Sequence, residues 1–126
     1  MDCPCGSGDA YAACCGLFIS GTQTTNTAEQ LMRSRYTAYT CLDARYLLAT
    51  WHASTRPPEL VLDAEPKPQW LGLNIVNCTD GQAEHNSGTV EFIARYKING
   101  RAQRLHEVSR FSRENGRWYY LDGRRN

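Results

Sequence analysis

Four cysteines fall within the first fifteen residues, as Cys3, Cys5, Cys14 and Cys15. A segment this short buries too little apolar surface to offset its ordering entropy, about 1–2 kcal/mol per residue, so its fold depends on a cross-link. Cys3-Pro4-Cys5 and Cys14-Cys15 are two close thiol pairs separated by a loop containing Gly6 and Gly8, and such pairs converge on one tetrahedral ion. Thiolate softness selects zinc, or iron, over magnesium or calcium. The alternative cross-link is a set of crossed disulfides from Cys3 and Cys5 to Cys14 and Cys15, because Cys3 and Cys5 are too close to bond each other easily. If four thiolates fill one zinc ion, no position is left for water or substrate, and a closed site of that kind is structural rather than catalytic.

At 126 residues and 14.2 kDa the chain holds one compact domain plus this knuckle, since single cores commonly occupy about 100–150 residues. No apolar run approaches the roughly 18 residues that span a bilayer. The chain begins Met1-Asp2 without a basic and apolar export signal, which points to a cytoplasmic protein with no membrane contact. Cys41 and Cys78 are isolated among apolar neighbours and read as small core residues. The net charge of +1 argues against nucleic-acid binding. Its distribution is dipolar: residues 95–126 carry nine basic groups against three acidic ones, and the remainder carries five against ten.

Ser20 to Asn26 is polar and reads as a linker. Thr27 and Gln30 then form a capping-box pair, and Ala28, Leu31, Met32, Tyr39 and Leu42 follow the spacing of one buried helical face. Asp43 caps a second short helix with Ala44, Leu47, Leu48 and Trp51 on its apolar stripe, before Pro57-Pro58 forbids continuation. A further turn is predicted within Glu59 to Lys67. The period then changes. Trp70 to Thr79 reads as a strand closed by Asp80-Gly81. Thr89 to Ile98 alternates, with Val90, Phe92, Ala94 and Tyr96 on one face and Glu91, Ile93 and Arg95 on the other. Asn99-Gly100 and Asn115-Gly116 each stand between strand-like runs, and such pairs favour the tight turns of hairpins because both central residues need positive φ. The predicted layout is α+β, with helices covering one face of a curved antiparallel sheet.

The run Cys3-Pro4-Cys5-Gly6-Ser7-Gly8 with Tyr11 and Cys14-Cys15-Gly16 resembles the SEC-C motif, a small zinc knuckle. Leu31-Met32-Arg33-Ser34-Arg35-Tyr36, Thr50-Trp51-His52, Trp70-Leu71-Gly72-Leu73, Ser109-Arg110-Phe111 and the stretch from Glu114 to Gly123 are similar to the YchJ-like family of uncharacterised bacterial proteins. The resemblance implies a knuckle over residues 1–19 and an α+β domain over 27–126, shaped as a cone of the nuclear-transport-factor-two type with helices in the concave side of a bent sheet. It implies Cys3, Cys5, Cys14 and Cys15 as ligands of one structural zinc ion and supplies no known reaction. The lysines that docking SEC-C knuckles carry around the tyrosine are absent from Asp9-Ala10-Tyr11-Ala12-Ala13.

A cone leaves a cleft between helices and sheet, and Trp51, His52, Trp70, Arg95 and Glu107 are the residues placed to line it. The leading expectation is therefore a zinc-binding protein that takes a small ligand in the cleft or a protein partner through the knuckle. An enzyme using His52 and Glu107 as base and orienter is the second. A nucleic-acid or ribosome-associated module, stacking bases on Trp118, Tyr119 and Tyr120, is the third.

Overall fold

The computed structural model describes all residues from Met1 to Asn126. A turn of 3-10 helix at Tyr11–Ala13 leads into α1 (Cys15–Ile19), followed by α2 (Ala28–Thr40), α3 (Ala44–Ala49), β1 (Gln69–Asp80), β2 (Ser87–Ile98), β3 (Arg101–Glu114) and β4 (Arg117–Arg125). The capping signals work as the sequence predicts. Thr27 Oγ1 accepts from the Gln30 amide at 3.1 Å, and Asp43 Oδ1 accepts from the Tyr46 amide at 3.0 Å. Each replaces an intrahelical partner that the first turn lacks. α2 stops where Leu42 turns to φ 57°, so Leu42 lies outside the helix and is exposed rather than part of its buried face. Residues 52–68 contain no helix, and the turn predicted within Glu59–Lys67 is not formed.

All strands are antiparallel to their neighbours, in the order β1-β2-β3-β4. Asn99-Gly100 has φ values of 52° and 78°, and Asn115-Gly116 has 53° and 79°. Ile98 pairs with Arg101 and Glu114 with Arg117, so each pair is a two-residue hairpin loop of the expected kind.

The cone expected from the resemblance is corrected by this topology. β1 pairs only with β2 and β4 only with β3, which leaves a four-stranded sheet that is open and not closed or curled into a cone. The reason is local: hairpins link β2 to β3 and β3 to β4, so strand order copies sequence order, and no register brings the two edges together. The edges are handled separately. The exit of α3 docks on β4, with the His52 amide donating to the Tyr120 carbonyl at 2.7 Å and the Tyr120 amide to the Thr50 carbonyl at 2.8 Å. β1 is broken by register shifts at Trp70/Gly72 and Ile75/Asn77, irregularities that discourage pairing with another chain.

Val90, Phe92 and Ala94 of β2 face the helices and are buried, as their alternation predicts. They join Leu31, Met32 and Tyr36 of α2, Phe111 and Trp118 in one core that also contains Cys3, Cys5 and Cys15. The polar stretch 20–26 thus does not hold the knuckle apart from the sheet. Cys41 is exposed beyond the end of α2 and is not the core residue that its neighbours in sequence predict, whereas Cys78 is half-buried against the core with its Sγ 3.5 Å from Glu29 Oε1.

Candidate metal centre and adjoining cavity

The knuckle is a loop closed on itself. The Cys3 amide donates to the Asp9 carbonyl at 2.9 Å and the Tyr11 amide to the Met1 carbonyl at 3.0 Å. Gly6 and Gly8, at φ 80° and 89°, take left-handed turns that residues with a Cβ resist. The chain then returns through the 3-10 turn to present Cys14 and Cys15 at the start of α1. All four Sγ atoms lie within 4.8 Å of one another, with Cys5 to Cys14 at 3.7 Å and Cys14 to Cys15 at 4.0 Å. A regular tetrahedron of sulfurs about 2.3 Å from a central zinc has edges of about 3.8 Å. The donor chemistry and the spacing therefore both fit one such ion. All six cysteines are free.

The cluster sits in a polar frame supplied largely by α2. Ser7 Oγ is 3.2 Å from Cys14 Sγ and Thr37 Oγ1 is 3.8 Å from Cys3 Sγ. Arg33 Nη1 donates to the Cys5 carbonyl at 2.8 Å while its Nε pairs with Glu29 at 3.0 Å. The Cys5 thiol is pushed down, chiefly by the hydrogen bond from Cys15. Donating that bond, together with burial, pushes the Cys15 thiol up. Gly16 has a packing role: a Cβ there would lie 2.7 Å from the Tyr11 carbonyl and 2.9 Å from its ring. Gly16→Ala is expected to cost about 1–3 kcal/mol through this overpacking, and thermal unfolding of the variant measures it.

Between α2 and the sheet lies a solvent-open cavity of about 300 Å³, at the lower end of the range of ligand pockets. Of the five cleft residues predicted from sequence, Trp70 and Glu107 line it. Trp51 stands behind its wall, its ring packed edge-on to Tyr120 at 5.1 Å with the Arg35 guanidinium 5.0 Å away. His52 lies outside it, with Nε2 2.5 Å from Glu114 Oε2 and Nδ1 2.7 Å from Ser54 Oγ. Arg95 is exposed, because strand alternation assigns it to the sheet face opposite Ala94. Trp118 is 2 % exposed and its Nε1 donates to the Asn26 carbonyl, so it offers no face on which a base stacks. Arg110 is engaged by Asp122 through two bonds of 2.7 and 2.6 Å.

Arg35, Tyr39 and Tyr120 are among the cavity residues that the sequence did not point to. Arg35 had a readable signal, since it lies three and four residues from Met32 and Leu31 and so interrupts the apolar face of α2. Glu107 is half-buried, and desolvation raises its carboxyl above the usual range against the opposing field of Arg125. Gly123 makes room for it, because a Cβ there would meet the Glu107 carboxylate at 2.6–2.9 Å. A carboxyl raised in the folded state contributes stability below its unfolded value, about 4.3, and loses it as pH rises through the folded value. Glu107→Gln is therefore expected to be more stable than the parent chain at pH 7, with the gap closing below about pH 4. Urea unfolding at the two pH values checks this.

Comparison with known proteins covers both parts. Residues 2–17 match the SEC-C motif, and residues 27–123 match the family described as YchJ, middle NTF2-like domain. A UPF0225 protein of Cupriavidus metallidurans is 54 % identical over 127 residues, covering 96 % of this chain and 86 % of the relative. One of Chromobacterium violaceum is 50 % identical, covering 96 % and 90 %. The solution structure of a SEC-C motif containing protein from Rhodopseudomonas palustris superposes with a TM-score of 0.84 at 35 % identity, covering 98 % of each chain. A crystal structure of a SEC-C motif containing protein from Psychrobacter arcticus gives 0.78 at 27 %, covering 95 % of this chain and 80 % of the other.

Proposed function

The chain belongs to the UPF0225, YchJ-like family with an N-terminal SEC-C motif, and from that premise we propose that it is a zinc-stapled small-molecule-binding protein. Cys3, Cys5, Cys14 and Cys15 hold one zinc ion, and the cavity between α2 and the sheet receives the ligand. The observation that carries this reading is the shared core. Cys3, Cys5 and Cys15 pack in one cluster with Met32, Tyr36, Phe92 and Ala94, and the last four also wall the cavity. A metal in the knuckle thereby braces α2, through Thr37 and Arg33, and α2 supplies one wall of the ligand site. The zinc has a structural role, since four thiolates leave it no open position.

The reading assigns binding rather than catalysis. No helix is long and apolar enough to cross a membrane. Elemental analysis of protein purified under reducing conditions is expected to find one zinc per chain, released when the four thiols are modified. Metal-free protein with disulfides among these cysteines would overturn the zinc assignment.

A further inference from the structure

Arg35 is the one cationic side chain of the cavity wall. It is 3 % exposed, yet it forms no ion pair. Its Nη1 is used by the fold, donating to the Leu47 carbonyl and to Thr50 Oγ1, both at 2.7 Å. Its Cζ lies 4.5 Å from the Tyr120 ring centre and 5.0 Å from that of Trp51, and such faces offset part of the cost of burying a cation. Its Nε and Nη2 make no hydrogen bond to the protein. A guanidinium has five donors in a fixed fork that matches a carboxylate. A buried charge without a counter-ion is costly, and this one persists: burial lowers the Arg35 pKa only to about 10, so it is cationic at neutral pH.

Most of the remaining wall is apolar and aromatic. Trp70, Phe92 and Leu105 flank the space, and Trp70 is itself braced by Tyr36 and Tyr96 at ring distances of 5.7 and 5.2 Å. Glu107 enters from β3, and Ser109 Oγ donates to it at 3.5 Å. It does not pair with Arg35, and its negative charge disfavours a second anionic group on the same ligand.

We infer that the cavity is a site for a small organic acid with an aromatic or apolar body and a single carboxylate, the body against Trp70, Phe92 and Leu105 and the carboxylate on the free nitrogens of Arg35. This rests on the cavity being a ligand site, as proposed above, and adds the chemistry that the site selects.

The test is a titration of the isotope-labelled, metal-loaded full chain with phenylacetate, with its neutral counterpart phenylacetamide, and with the dianion phenylmalonate, followed by amide chemical shifts. Phenylacetate is expected to shift Ala94, Leu105 and Ser109 and to bind at least tenfold tighter than either other compound. Arg35→Met is expected to remove the preference for phenylacetate over phenylacetamide. The two ligands compared on the parent chain test the charge even where that variant fails to fold. Equal binding of phenylacetate and phenylacetamide at these residues would overturn the carboxylate assignment while leaving the cavity as a ligand site. Binding of phenylmalonate as tight as phenylacetate would overturn the single-charge restriction. Shifts confined to the exposed arginines of β3 and β4, or none at millimolar ligand, would overturn both this inference and the ligand-site reading beneath it.

Discussion

Replacing Cys15 by serine is expected to abolish tight metal binding and to destabilise the whole molecule by at least about 4 kcal/mol, the upper range for single substitutions. Two losses combine. The knuckle has too few apolar residues to hold its loop without a cross-link, and binding of a structural zinc ion is itself folding free energy, of order 10–16 kcal/mol in small zinc-dependent peptides. Cys15 is also 1 % exposed and belongs to the same core as Leu31, Val90 and Phe111, so a poorly packed hydroxyl there disturbs the seat of α2. A chain whose knuckle were tethered by a loose linker would respond differently, losing only the amide signals of its first residues. The measurement is an amide spectrum with a urea melt. Loss or broadening of signals from α2 and β2, beside those of the knuckle, is expected. A sheet spectrum unchanged from the parent, with an unchanged unfolding midpoint, would show that the knuckle folds as a separate unit.

Phe111→Ala is expected to cost about 3–5 kcal/mol, the usual range for truncating a buried phenylalanine. Phe111 is 1 % exposed, and it sits where a register shift at Arg110/Phe111 reorients β3 against β4. Its ring meets Tyr120 edge-on at 5.8 Å, and Tyr120 in turn carries the Arg35 guanidinium. Truncation therefore opens a void behind the cavity wall as well as removing buried area. Denaturant unfolding should show the loss in stability. A cost under about 1 kcal/mol would mean that the core collapses around the void, since such costs depend on how well a site closes.

Much of this molecule was legible because its signals are local. Two Asn-Gly pairs impose positive φ and thereby set the β2-β3-β4 meander; Thr27 and Asp43 mark helix starts by offering an acceptor to orphan amides. Period-two alternation assigned Val90, Phe92 and Ala94 to the buried face and Arg95 to the other. The cone was not legible. Whether a meander closes depends on whether its edges meet, and no residue in β1 or β4 encodes that by itself. The cleft residues divided for a similar reason. Trp70 and Glu107 meet across the cavity, whereas His52 was drawn to Glu114, which lies 62 residues away.

By itself, then, the sequence determined the thiol set and the order of elements, since both depend on spacing along the chain. Close pairs of cysteines around a glycine loop reach one centre in almost any fold that closes that loop. What only the tertiary structure decided is the relation between the parts: that Arg33 and Thr37 tie the knuckle to α2, that the sheet stays open, and that Arg35 is buried without an anion. An arginine on a helix is ordinarily a solvated charge. It becomes an unanswered one only when α3, and β4 from far along the chain, pack around it and supply no anion.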